Sequence, residues 1–157
     1  MVSLLIGIHA ALGELGGIGF LWVLIELLYP TPQRIRQAKT VALISVIFLF
    51  LSWMTSGYYY VNVYGNDVKP LIKEGPQPWA HGIFMETKEH IFLFLPFLSL
   101  FSFFTLHTYE RELMKNKKLR TSLILLCLFI FALVFTAGAM GYLVSSGARA
   151  ALEAKVG

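Results

Sequence analysis

Four long apolar runs, at 4–29, 41–64, 91–108 and 119–146, alternate with short polar stretches along the chain. Each is near or above the roughly 20 residues a helix needs to cross the hydrocarbon core of a bilayer. The third run has a helical lead-in: the prolines before Trp79 end there, and Trp79 resembles a helix start with an interfacial anchor. The pattern therefore predicts an all-α integral membrane protein. It is one domain over residues 1–157, a four-transmembrane-helix bundle with spans at about 4–29, 41–64, 80–108 and 119–146.

Composition agrees, with 57% hydrophobic and 14% charged residues and a mean hydropathy of +0.68; a soluble domain of this size has no use for so much apolar surface. Met1-Val2-Ser3 carries no basic residue and the first run is far longer than the core of a secretory signal, so span one is expected to be retained. The lone Cys127 lies deep in the last span, which excludes a disulfide framework or a thiolate metal cluster.

Charge sets the orientation. The first connection carries Arg34, Arg36 and Lys39, and the third carries Arg111, Lys115, Lys117, Lys118 and Arg120. The positive-inside rule puts both in the cytoplasm. Both termini and the second connection, from Gly65 to about Glu89, are then expected on the outer side of an inner (cytoplasmic) membrane. The basic excess reflects topology, and nucleic acid is not an expected partner. Turn formers from Gly65 to Pro78 predict a short outer lid.

Ionisable groups at membrane depth are costly and usually mark a site. Pro78 to His90 holds two histidines, two carboxylates and a lysine at the mouth of span three, at about the depth of His9 and Glu14 in span one. On a helix, His9, Gly13, Gly16 and Phe20 share a face, so the imidazole overlooks a groove without side chains. That groove suits close helix packing or a flat macrocycle ligated by His9. In span three, His90 and Glu86 fall on one face and His81 and Lys88 on the opposite one, so only one face can meet His9. His90, next to the apolar run, is the expected partner, with His81 the alternative ligand.

Two imidazoles from different helices of a bundle are a recurrent way to hold haem. The expected cofactor is a single haem b ligated by His9 and His90, with Gly13 and Gly16 beneath it, and Glu86 orienting His90. Glu86, Glu89 and His90, with His9, also offer a nitrogen and oxygen shell for copper or non-haem iron. A cofactor-free subunit of a membrane complex is the third reading. Glu86 and Glu89, with Lys88 beside them, are expected to handle protons at the redox centre. Beyond the lipid bilayer, the expected partners are a quinone and a periplasmic redox partner or larger membrane complex. His107 lies seventeen residues after His90, about 25 Å along a helix and thus at the opposite membrane face.

The run His9 to Phe20 with its glycines, the basic turn at Arg34 and Arg36, Ser56-Gly57-Tyr58, and Lys88 entering span three resemble the copper-resistance D-type membrane proteins and the related bacterial membrane protoporphyrinogen oxidase. The resemblance covers spans one to three. It implies functional roles for His9 and Lys88 and binding of haem b. The tryptophan that those families place before the glycine pair is absent, with Glu14-Leu15-Gly16-Gly17 in its place, and His90 is an additional histidine.

Overall fold

A computed structural model describes residues 2–156; the two terminal residues, on which the outward placement of the chain ends bears, lie outside the described residues. Helix α1 (Val2–Leu28) ends at the Tyr29-Pro30 break. Thr31 then caps α2 (Pro32–Tyr59), its hydroxyl accepting from the Arg34 N–H at 3.2 Å while Pro32 takes the first turn. Proline costs nothing there, because its missing N–H would have no intrahelical partner.

The chain does not turn at residue 65. Helix α2 runs on through a π-helical stretch (Tyr60–Val68) into α3 (Lys69–Glu74), and Gly75 ends it. The expected lid is therefore mostly helical, with a tight bend only from Gly75 to Trp79. Burial explains the difference: Tyr64, Ile72 and Ala80 form a small second core with Val144. A glycine inside a helix costs about 1 kcal/mol, whereas burying one large apolar side chain returns roughly 1.5–3 kcal/mol.

A second π-helical stretch (Ala80–Met85) leads into α4 (Glu86–Thr108), followed by the short α5 (Glu110–Lys115) and the long α6 (Lys117–Val156). Among the described residues, four helical segments are long and apolar enough to cross a membrane, namely Leu4–Leu28, Pro32–Glu74, Ala80–Thr108 and Lys117–Val156. Helix α1 packs on α2 and α6, and α4 packs on the same two, so α1 and α4 face each other diagonally across the bundle.

The main core holds Phe20, Val23, Leu27, Ile35, Leu49, Leu95 and Ile130, all buried. Large apolar residues such as Ile18, Ile47, Phe97, Phe101, Leu125 and Phe129 point outward, as expected of side chains facing lipid. Helices α1 and α2 approach closely because glycines lie between them. A methyl group added to Gly16 would sit 2.8 Å from the Leu49 side chain and 3.2 Å from the Ser45 carbonyl. At the end where α2 starts, Lys39 bridges to Glu110 at 2.8 Å, tying both basic connections together. At the other end, α6 meets the π-helical lead into α4, with Gly147 against Ala80.

Candidate functional site

A cavity of about 500 Å³ opens between α1, α4 and α6 at the end of the bundle that holds the π-helical stretches. Its walls are largely apolar, and its polar lining includes His9, Lys88, Glu14 and Arg149. That size falls within the usual range for a small-molecule or cofactor site, roughly 300–1,000 Å³. Ala137, Gly141 and Ser145, a small-residue stripe suited to helix packing, line the cavity wall instead. Absent side chains on α6 are what leave the space.

His9 is held from behind by α2. Its Nδ1 lies 3.1 Å from the Ser52 carbonyl and 2.9 Å from the Ser52 hydroxyl, and that hydroxyl donates to the His9 carbonyl at 2.8 Å. A carbonyl only accepts, and the Ser52 hydroxyl proton is already committed to the His9 carbonyl. Nδ1 therefore carries the hydrogen, and Nε2 keeps a lone pair. Phe92 packs edge-on against the imidazole at 5.2 Å between ring centroids, fixing its plane from the α4 side.

Nε2 faces Lys88, whose Nζ is 3.5 Å away. Helix α4 thus presents the face bearing Lys88 to α1. Among the described residues no carboxylate lies within 4.0 Å of Lys88 Nζ. Gly141 of α6 makes room for the lysine tip: a methyl group there would stand 3.0 Å from Nζ.

The other sequence-derived candidates sit elsewhere. His90 is exposed, does not line the cavity, and binds the Glu86 carbonyl of its own helix through Nδ1 at 2.6 Å. Gly13 borders the cavity, but Gly16 is covered by Leu49 of α2. His81 is buried against Tyr64, and its Nε2 lies 3.9 Å from the Glu86 carboxylate. Glu86 is exposed, while Glu89 keeps Oε1 buried without a hydrogen-bond partner. His107 stacks on Phe103 at 5.9 Å, and Glu26 accepts from the Trp22 indole at 2.9 Å.

Ser52, Phe92, Tyr64 and Arg149 belong to the site without having stood out in the sequence. Ser52 is one small polar residue in an apolar run, forty-three positions from His9. Its only sequence signal is that a buried hydroxyl in a span needs a partner. Comparison with family models, curated proteins and solved structures gives no match to this chain.

Proposed function

We propose that the chain is a b-type haem protein of the cytoplasmic membrane that passes electrons between a membrane quinol and an acceptor on the outer face. The observation that carries this reading is the fixed tautomer of His9: a neutral imidazole, anchored at Nδ1 by Ser52, turns its Nε2 lone pair into a largely apolar cavity. Anchoring of the distal ring nitrogen is how proteins orient a histidine for ligation.

The donor set fits haem better than a bare metal ion. Copper, zinc or non-haem iron draws three or four ligand atoms from the protein, whereas haem iron takes one or two. Among the described residues no group of three or more His, Cys, Asp or Glu side chains is placed to hold a metal. The residues that would hold haem are His9 through Nε2 and Lys88 through Nζ once it sheds a proton, with Arg149 as a cation for a propionate. The resemblance to the protoporphyrinogen oxidase family points to the same two residues. When bound, haem would supply reversible one-electron chemistry at the iron.

The protein's own groups do the rest. Ser52 and Phe92 fix the imidazole, Lys88 stands opposite it, and the cavity walls are largely apolar. The positive-inside rule puts the Lys39–Glu110 end in the cytoplasm and the cavity in the outer leaflet, within reach of a periplasmic partner. An optical spectrum of the purified protein, oxidised and then reduced with dithionite, tests the reading. Haem b bands at one haem per chain are expected; bound copper or iron without haem would replace it with metal handling.

A further inference from the structure

We infer that Tyr64, His81 and Glu86 form a proton relay that connects the cavity to the outer surface. Tyr64 lines the cavity, and its hydroxyl lies 3.0 Å from His81 Nδ1. His81 has 1% of its surface exposed, and its Nε2 is buried without a hydrogen-bond partner. The nearest acid is Glu86, 3.9 Å from Nε2, with 58% of its side chain exposed. The three residues thus run from a cavity wall, through a buried imidazole, to water.

A carboxylate can only accept, so with Glu86 swung into reach Nε2 carries the hydrogen and Nδ1 accepts from the Tyr64 hydroxyl. At 3.9 Å the Nε2 to Glu86 gap is longer than a hydrogen bond. Glu86, being exposed, closes it by rotating its side chain. The Tyr64 side is already in place.

The transfer moves protons only. As Tyr64 oxygen receives a proton from a group in the cavity, its own hydroxyl proton passes to His81 Nδ1. His81 Nε2 releases its proton to the Glu86 carboxylate, which yields it to water. The reverse hops restore the starting tautomer, so the path serves release and uptake in turn.

The setting suits such a path better than a structural peg. A peg has both ring nitrogens satisfied, since an unpaired buried polar atom is destabilising. His81 keeps one unsatisfied, on the side facing an exposed acid. The charged groups around it are Lys69 and Lys73 of α3 and Glu86 and Glu89 of α4. From α6, Gly147 packs against the neighbouring Ala80. Tyr64 and His81 lie in π-helical segments, Tyr60–Val68 and Ala80–Met85, a geometry frequent at functional sites.

Hydrogen–deuterium exchange of the histidine ring N–H groups tests the relay in the purified full-length protein in lipid nanodiscs, with ring-15N histidine. His81 is assigned by the signal lost in His81→Asn. In Glu86→Gln, a surface change that leaves the core intact, His81 exchange is expected to slow about tenfold or more. In Tyr64→Phe, which removes only the cavity side of the path, His81 exchange stays fast. His81 exchange unchanged in Glu86→Gln, or slowed as much in Tyr64→Phe, overturns the relay. The relay needs only the cavity and not haem, so a protein without haem bands that still shows these effects would refute the haem reading alone.

Discussion

Lys88 Nζ lies 3.5 Å from His9 Nε2, a contact between diagonally opposed helices seventy-nine residues apart in sequence. One residue brings a lone pair and the other brings three N–H donors, inside largely apolar walls. Ser52 fixes the first and Gly141 leaves space for the second.

Ser52→Ala removes the hydroxyl that holds His9 and leaves the backbone carbonyl at position 52 facing Nδ1. Interhelical hydrogen bonds in membranes contribute about 0.6 kcal/mol on average and up to about 1.7, so a small loss of stability is expected, measurable by unfolding in mixed micelles. The ring is expected to keep its tautomer, because the backbone carbonyl at position 52 still accepts from Nδ1, so 15N spectra of Ser52→Ala show one tautomer of His9. Mixed tautomers would mean that the hydroxyl, and not the carbonyl, sets it.

Glycines in α1 and α6 are expected to respond in opposite ways. Gly16→Ala pushes on Leu49 and the Ser45 carbonyl, and overpacking of this kind costs about 1–3 kcal/mol. Gly138 has nothing within 4 Å of its would-be methyl group and lies inside α6, so Gly138→Ala is expected to raise stability slightly, alanine being the better helix former. Gly141→Ala presses only on the lysine tip and shifts the cavity spectrum rather than the unfolding midpoint. Unfolding curves for the three variants, side by side, check the ordering.

Much of this architecture was legible in the residues. Hydropathy alone marks four spans, because a bilayer imposes a length and a composition on anything that crosses it. The helical run from Gly65 to Glu74 was not legible: Gly65-Asn66-Asp67 is good turn chemistry, and the burial of Tyr64 and Ile72 that overrides it depends on α6. The helical wheel divides span three into a face with His90 and a face with Lys88, but the rotation is decided by neighbours far away in sequence. His90 satisfies its ring on its own helix at the Glu86 carbonyl, while Lys88 reaches through the bundle to His9. The stripe Ala137, Gly141, Ser145 has the same composition whether it packs a helix or borders a cavity, so only the fold tells the two apart.

At the opposite end, the Lys39 ammonium holds the Glu110 carboxyl below the usual carboxylate range by hydrogen bond and by charge. A carboxyl with a depressed folded-state pKa adds stability above its unfolded pKa, about 4.3, and loses it as pH falls through the lower folded value. Wild-type stability is therefore expected to decline through the acid range. Glu110→Gln flattens that slope by lowering stability at neutral pH, where the wild-type pair is fully formed, and converges with wild type in acid. Both partners are partly exposed, so salt weakens the effect. Thermal midpoints against pH, at low and high salt, provide the check.

Haem content of three purified variants tests the central claim most directly: His9→Ala, Lys88→Met and His90→Ala, measured per chain and compared with wild type. His9 and Lys88 meet in the cavity and His90 is exposed outside it. The expected result is loss of haem in His9→Ala, an altered ligand-field spectrum in Lys88→Met and a wild-type spectrum in His90→Ala. Full haem in His9→Ala, or loss of haem in His90→Ala with Lys88→Met unchanged, would contradict it.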